Sequence, residues 1–235
     1  MKSLIVALSF LTRLPMPRVE ADAGDFADAI RWYPAVGLAL GAIVALAVWA
    51  GSWIDPWIGA LAGLIAWVAV TGALHLDGLG DLADGLGAAH GDRGRMMSVM
   101  TDPHIGSFGV VAIIVQLLAK LVLLHAGIHW TALVLIPFAA RIGPLFWARW
   151  LPPLKPGLGA SVASAVRLRD LAGWTAMWAA ACLLFPPLMV APVTLLGWAW
   201  WLKARIGGIS GDSHGAGIEW CETALLFVSI AASRL

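Results

Sequence analysis

The chain has 235 residues, of which 60% are hydrophobic and only 12% are charged, and its mean hydropathy is +0.85. Soluble domains usually carry about 25% charged residues, so the composition excludes an ordinary soluble protein and predicts an all-α, polytopic integral membrane helical bundle. The formal net charge is +1 and no long basic tract is present, which argues against nucleic acid as a partner.

The first 33 residues precede the first long apolar run. A short apolar stretch over residues 2–12 is followed by arginines, prolines and Glu20, a pattern unlike that of a cleaved signal peptide. We interpret residues 1–33 as an amphipathic segment that lies at the membrane interface.

Apolar stretches along the rest of the chain predict the membrane helices. Most are close to the ~20 residues that a span requires, and the longest carries Pro186 and Pro187 near its middle, which predicts two short helices joined by a turn. A helix that begins near Asp212 would add a span, so we predict about seven transmembrane helices, with six as the alternative. The stretches are 34–54, 56–74, 105–127, 129–147 and 171–202.

Lys and Arg residues gather at the N-terminus and after the second, fourth and sixth predicted helices, whereas the turns near residues 55, 127 and 186 contain none. By the positive-inside rule, the basic loops are cytoplasmic. We therefore expect one domain, residues 1–235, that crosses the inner membrane several times. Two acidic segments, residues 75–104 and 203–222, would then form an active site that faces the cytoplasm.

The first acidic segment places Asp77, Asp81 and Asp84 at positions i, i+4 and i+7. On a helix these side chains lie within about 60° of one another on one face. Three like charges repel one another unless a cation lies among them, and a divalent cation is the economical answer. The alternative is a solvated acidic helix end.

The second acidic segment is glycine-rich and contains Asp212, Glu219 and Glu222. The glycines could feed a helix N-terminus that binds phosphate, or they could serve only close helix packing. Together the two segments could close around Mg²⁺, which bridges pyrophosphates in in-line displacements. Carboxylate oxygens favour Mg²⁺ or Mn²⁺ over zinc.

Two cations, Lys120 and Arg141, lie inside predicted spans. A charge at that depth is costly and usually faces a cavity or a partner, such as an anionic substrate group or one of the acidic residues. The alternative is that the side chain extends to the membrane interface.

Several of these residues lie in stretches that resemble those of a known family. The sequence resembles the adenosylcobinamide-GDP ribazoletransferase family, also called cobalamin (5′-phosphate) synthase, in residues 10–15 with 32–37, 71–85, 100–109 and 207–222. The resemblance implies a Mg²⁺-dependent membrane enzyme that joins the cobinamide phosphate of adenosylcobinamide-GDP to α-ribazole or its 5′-phosphate and releases GMP. The chain has His104 where Arg is frequent in the family, and His grips phosphate more weakly than Arg does.

We assign hypothetical roles on this basis. A catalytic base would be sought among the acids that do not hold the metal, Asp102 or Glu222, while positioning and charge neutralisation supply most of the rate. The candidate metal ligands are Asp77, Asp81, Asp84, Asp212 and Glu219, the candidate catalytic residues are Asp84, Asp102 and Glu222, and the candidate substrate-binding residues are His75, Arg95, His104, Lys120, Arg141 and Ser210.

Two other functions are compatible with the sequence. Residues 81–85 echo part of the Asp-rich signature of CDP-alcohol phosphotransferases, which suggests a phospholipid synthase, although later parts of that signature are missing. An ion or metal transporter could use the intramembrane charges as a pathway, but the acids gather at one membrane side and no repeat halves are visible. Glycines over residues 59–63 would permit close helix contacts, and a homo-oligomer is compatible with them.

Overall fold

The structure is a computed structural model that describes residues 2–154, 162 and 164–234. Those residues form helices joined by short turns, and within them the only β-type pairing is an isolated bridge between Pro153 and Ile209. The predicted all-α class is confirmed. Part of the basic loop that follows the fourth predicted helix, residues 155–161 and 163, lies outside the described residues.

The helices follow in chain order, with 3-10 turns at Ile30–Trp32 and Pro186–Val190. They are α1 (Lys2–Leu11), α2 (Ala23–Ala29), α3 (Tyr33–Ser52), α4 (Pro56–Thr71), α5 (Leu74–Ala89), α6 (Arg93–Val99), α7 (Ser107–His125), α8 (Trp130–Ala140), α9 (Gly143–Trp150), α10 (Leu168–Leu184), α11 (Ala191–Arg205) and α12 (Gly211–Ala232).

Fewer helices are long enough to cross a membrane than the sequence predicted. Among the described residues, four stretches have the length and apolarity of a span, and α4 with α5 makes a fifth if that bent pair is counted. The count is lower than the predicted six to seven because α4, α10 and α11 have only 16, 17 and 15 residues, at or below the lower end of the range of about 17–25 residues for a span. The four stretches are Ala23–Ser52, Ser107–His125, Trp130–Trp150 and Gly211–Ala232.

The break between α10 and α11 lies where the two prolines predicted it. Helix α10 ends at Leu184, and a 3-10 turn that begins at Pro186 leads into α11. Proline lacks the N–H that would continue the helix, and it disfavours helical geometry at the residue before it. The long apolar run therefore divides into two short helices.

A sharp corner separates α4 from α5. The two helices are bent by 83° relative to each other, and the corner residues Gly72 and Ala73 have φ values of 59° and 60°. This left-handed conformation costs an alanine about 1–2 kcal/mol. The corner turns the Asp-bearing helix α5 away from the direction of α4.

Close helix contacts at glycines assemble the bundle. A Cβ atom on Gly41 of α3 would lie 2.6 Å from the carbonyl oxygen of Leu133 in α8, and one on Gly63 of α4 would collide with Val48 of α3. The glycines predicted to permit close helix contacts, at residues 59–63, therefore pack within one chain.

Glycine also joins the two acidic segments. A Cβ on Gly78 of α5 would lie 2.8 Å from the Cα of Asp212 in α12, and one on Gly215 would lie 3.2 Å from the Cα of His75. Helices α5 and α12 therefore touch through their backbones, which brings residues more than 130 positions apart in the sequence onto one surface.

We predict that Gly41→Ala lowers the thermal stability of the purified protein in detergent. The added methyl group would overlap the α8 backbone, and overpacking of this kind typically costs about 1–3 kcal/mol. Gly197→Ala is the matched control, because nothing lies within 4 Å of its added Cβ and alanine favours a helix by about 1 kcal/mol over glycine. An unfolding temperature for Gly41→Ala at or above that of the control would contradict this packing.

Candidate active site

Three carboxylates meet where α5 touches α12. Asp77 is exposed, and Asp81 and Asp212 are partly buried. Neighbouring carboxylates crowd Asp81 and repel its negative charge. Those neighbours are Asp77, Asp212 and Asp84. The arrangement concentrates negative charge that a cation would relieve.

The carboxylates do not form a ready-made metal cage. Among the described residues, no three or more His, Cys, Asp or Glu side chains are grouped closely enough to hold a metal by themselves. Mg²⁺ usually keeps several waters and binds through one or two carboxylates plus substrate phosphates. An all-oxygen set around Asp81 therefore fits Mg²⁺ that arrives with a phosphorylated substrate, and it does not resemble a structural metal site.

Asp84 points away from this surface and caps the start of α7. Its two carboxylate oxygens accept hydrogen bonds from the backbone N–H groups of Gly106, at 2.7 Å, and Gly109, at 2.9 Å. A Cβ on Gly106 would lie 2.5 Å from the Asp84 Oδ1 atom, so a side chain at position 106 would displace the carboxylate. The sequence assigned Asp84 to metal binding and catalysis, whereas its contacts hold the 100–109 turn against α5.

Glu222 lies at the centre of a buried ion network. It is fully buried, its Oε1 accepts a hydrogen bond from Arg141 Nη1 at 2.7 Å, and its Oε2 accepts one from Lys120 Nζ at 2.6 Å. Arg141 also donates to the carbonyl oxygen of Pro137 at 3.0 Å. Both oxygens of this carboxylate, which the sequence nominated as a base, are therefore occupied by cations.

Glu219 extends the network by one helical turn. Its Oε2 lies 2.7 Å from Lys120 Nζ and accepts a hydrogen bond from Gln116 Nε2 at 2.8 Å. The Lys120 ammonium also stands 4.3 Å from the ring centroid of Trp67, a cation–π contact. Glu219, a candidate metal ligand, is thus held by α7 and only 2% exposed.

The network explains the two intramembrane cations. Lys120 and Arg141 are 2% and 0% exposed, so neither extends to an interface, and their two positive charges are balanced by Glu219 and Glu222. Buried charges are tolerated when they are paired and hydrogen-bonded. The partners are acidic residues of the second segment, one of the two kinds of partner that the sequence suggested.

His75 connects this network to the Asp-bearing helix. Its Nδ1 lies 3.3 Å from Arg141 Nη2, and it is buried at the start of α5, two positions before Asp77. Its Nε2 atom and the Arg141 Nε atom are buried without a hydrogen-bond partner. The network therefore ties α5 to α12 directly beside the acidic surface.

Asp102 and His104 form an exposed pair in the turn before α7. The Asp102 carboxylate accepts hydrogen bonds from the His104 backbone N–H at 2.9 Å and lies 2.7 Å from the ring Nδ1. These bonds, the backbone one first, hold the pKa of Asp102 below its usual value. Both side chains are accessible to a substrate, unlike Glu222.

The remaining predicted residues lie around the start of α12. Ser210 is its N-cap, and its hydroxyl accepts a hydrogen bond from the Ser213 backbone N–H at 3.2 Å. Arg95 is exposed on α6. Arg93, on the same helix, lies close to the glycine loop before α12: a Cβ on Gly207 would lie 2.9 Å from its Nη1 atom. Gly207 itself has a φ of 79°, a left-handed conformation that glycine adopts readily.

We predict that Glu222→Gln destabilises the protein strongly. The substitution leaves two buried cations with one carboxylate, and breaking a buried ion pair typically costs about 3–5 kcal/mol. Thermal unfolding in detergent measures the loss, and Glu20→Gln, at an exposed site, is the matched control. A Glu222→Gln protein as stable as the control would show that the network does not support the fold.

We also predict that Asp84→Asn lowers the unfolding temperature while Asp77→Asn does not. An amide NH₂ cannot accept the hydrogen bond from Gly106 or Gly109, and leaving a buried donor unpaired costs about 1–3 kcal/mol. Asp77 is exposed and should tolerate the change. Equal unfolding temperatures for both variants would refute the capping role.

Comparison with known proteins places the chain in a family. It is 57% identical to an adenosylcobinamide-GDP ribazoletransferase of Novosphingobium aromaticivorans, over 100% of this chain and 98% of the relative. It is 48% identical to the enzyme of that name from Thiobacillus denitrificans, again over 100% of this chain and 98% of the relative, and 50% identical to that of Laribacter hongkongensis, over 100% and 99%. No solved structure matches. The family model described as cobalamin-5-phosphate synthase matches residues 3–230, and the chain belongs to that family.

Proposed function

We propose that this chain is an adenosylcobinamide-GDP ribazoletransferase, which joins the cobinamide phosphate of adenosylcobinamide-GDP to α-ribazole or its 5′-phosphate and releases GMP. The observation that carries the proposal is the meeting of Asp77, Asp81 and Asp212 where α5 touches α12. Relatives of 48–57% identity with that name, aligned over the whole chain, support it.

The reaction exchanges one phosphorus–oxygen bond for another. A ribose hydroxyl of the acceptor forms a bond to the phosphorus that carries cobinamide, and the bond from that phosphorus to the oxygen of GMP breaks. GMP leaves with the electron pair, and the hydroxyl proton passes to a base. In such transfers, positioning and neutralisation of the phosphate charge supply most of the catalysis.

We propose that Asp77, Asp81 and Asp212 hold Mg²⁺ together with the substrate pyrophosphate. When bound, the ion would neutralise the pyrophosphate and stabilise the leaving GMP. The oxygen-only donors and the crowding of negative charge around Asp81 support this assignment. Asp84, Glu219 and Glu222 would then serve the site indirectly, because each is engaged by other protein groups.

Residues beside the acidic surface would bind and orient the phosphates. Arg93 and Arg95 can donate paired hydrogen bonds to phosphate oxygens, and the start of α12, capped by Ser210, directs backbone N–H groups toward an anion. Asp102, exposed and supported by His104, is the better placed of the two proposed bases. His75, Lys120 and Arg141 are buried and act as positioning residues that fix α5 against α12.

We further propose that the chain lies in the inner membrane with this site at the cytoplasmic face. The basic loops support this orientation through the positive-inside rule. The bilayer would be a partner as well as a location, because large apolar side chains cover the outer surfaces of α3, α4 and α7.

We predict that Asp81→Asn lowers GMP release by about 100-fold or more, since loss of even an outer-shell metal partner typically costs 10- to 100-fold. The assay supplies adenosylcobinamide-GDP and α-ribazole to the purified protein, with Mg²⁺ or with EDTA. EDTA should abolish release by the wild type, and Glu20→Gln should behave as the wild type does.

The outcomes separate the parts of the proposal. Release that persists in EDTA would remove Mg²⁺ from the mechanism. Release by Asp81→Asn at the wild-type rate would move the metal elsewhere, and a folded wild type that releases no GMP under any condition would overturn the function.

A further inference from the structure

A cavity with one cationic and one aromatic side lies near the acidic surface. This cavity of about 680 Å³ lies between α1, the 12–22 segment, the start of α2 and the corner between α4 and α5. Leu74, the first residue of α5, is part of its wall. Asp77 follows about one helical turn later, a rise of about 4.5 Å, so this part of the cavity wall lies close to the proposed reaction site.

One side of the cavity is cationic. Arg13 and Arg18 both belong to its wall, both are exposed, and neither forms an ion pair with a carboxylate in the described part of the chain. Arg13 is held in place: its backbone N–H donates to the Val70 carbonyl at 2.7 Å, and its side chain fills the space beside Gly72 where a Cβ would collide. Two unpaired guanidinium groups with no acid in the wall form a site for an anion such as phosphate.

The other side of the cavity is aromatic. The Phe10 ring is 49% exposed, stacks on Tyr33 with centroids 6.5 Å apart, and meets the edge of Phe26 at 6.4 Å. Phe26 is itself 41% exposed. Exposed rings supported from behind by other rings provide a firm surface for a flat ligand.

We infer that this cavity binds the acceptor substrate, a ribonucleoside with a flat fused aromatic base, with the base against Phe10 and Phe26 and a 5′-phosphate at Arg13 and Arg18. The inference rests on the proposed function and adds the location of the second substrate. It places the acceptor ribose between the aromatic wall and α5, on the side where its hydroxyl must meet the pyrophosphate.

The size and chemistry of the cavity favour the acceptor over other phosphorylated molecules. Its volume is in the usual range for a pocket that encloses a small ligand, about 300–1,000 Å³, whereas the donor carries a corrin ring as well as a nucleotide. The phosphate of an anionic phospholipid could also bind the two arginines. Its flexible acyl chains would gain nothing specific from stacked aromatic rings, however, and would not require a site near Asp77.

Binding without turnover tests the site. Isothermal titration of the full-length protein in detergent, with no donor present, gives dissociation constants for α-ribazole and for α-ribazole 5′-phosphate. We expect Arg18→Gln to weaken binding of the phosphate form about 10-fold or more, since hydrogen bonds between charged groups are stronger than those between neutral groups. The unphosphorylated form should bind Arg18→Gln as it binds the wild type.

Two further variants make the test specific. Arg234→Gln removes another exposed arginine, far along the chain, and should leave both affinities unchanged. Phe10→Ala should weaken both forms, because the base is common to them. If Arg18→Gln weakens both forms equally or neither, if the wild type binds neither form, or if phosphatidylglycerol displaces the bound nucleotide, the inference is overturned.

These results are independent of the proposed reaction. If the affinities follow the expected pattern but the wild type releases no GMP, the acceptor site stands and the reaction assignment fails. If GMP is released while the KM for α-ribazole 5′-phosphate is the same in wild type and Arg18→Gln, the reaction stands and the acceptor site fails.

Discussion

The pairing of Glu222 with Lys120 and Arg141 is the interaction on which the rest of the structure depends. Unpaired charges are costly in an apolar bundle, so the helices that carry these residues pack with the two cations against Glu222. That arrangement fixes α12 against α7 and the junction of α8 with α9. Through His75 it also fixes α5, and the acidic surface forms where α5 and α12 touch.

The site thus combines a rigid interior with an accessible polar edge. Buried acids bind protein cations, while the acids at the edge are crowded by one another. Glycines at the contact of α5 with α12 permit this crowding, since side chains there would force the two helices apart. The second acidic segment, residues 203–222, therefore supplies Glu219 and Glu222 to the buried ion network and Asp212 to the acidic surface.

The sequence predicted the helical class, the helix boundaries within a few residues and the break at Pro186, because apolar runs and prolines act locally. It also named the two acidic segments that the structure brings together where α5 touches α12. It could not divide the acids by role, because Asp84 and Glu222 differ from Asp77 and Asp212 only in what lies opposite them in space. The span count is lower than the sequence predicted for a similar reason, since an apolar stretch does not reveal where a corner such as Gly72 and Ala73 ends its helix.

The position of Glu222 in the chain has a consequence for how the protein is made. Lys120 and Arg141 precede Glu219 and Glu222 by about 80 to 100 residues, so a chain synthesised from its N-terminus inserts two cations before their counter-ions exist. A charge at the centre of a membrane helix costs about 2.5–3.5 kcal/mol on insertion scales. Full neutralisation of Lys120 and Arg141 therefore requires the last helix, α12, so the earlier helices reach their final packing only after α12 has joined them.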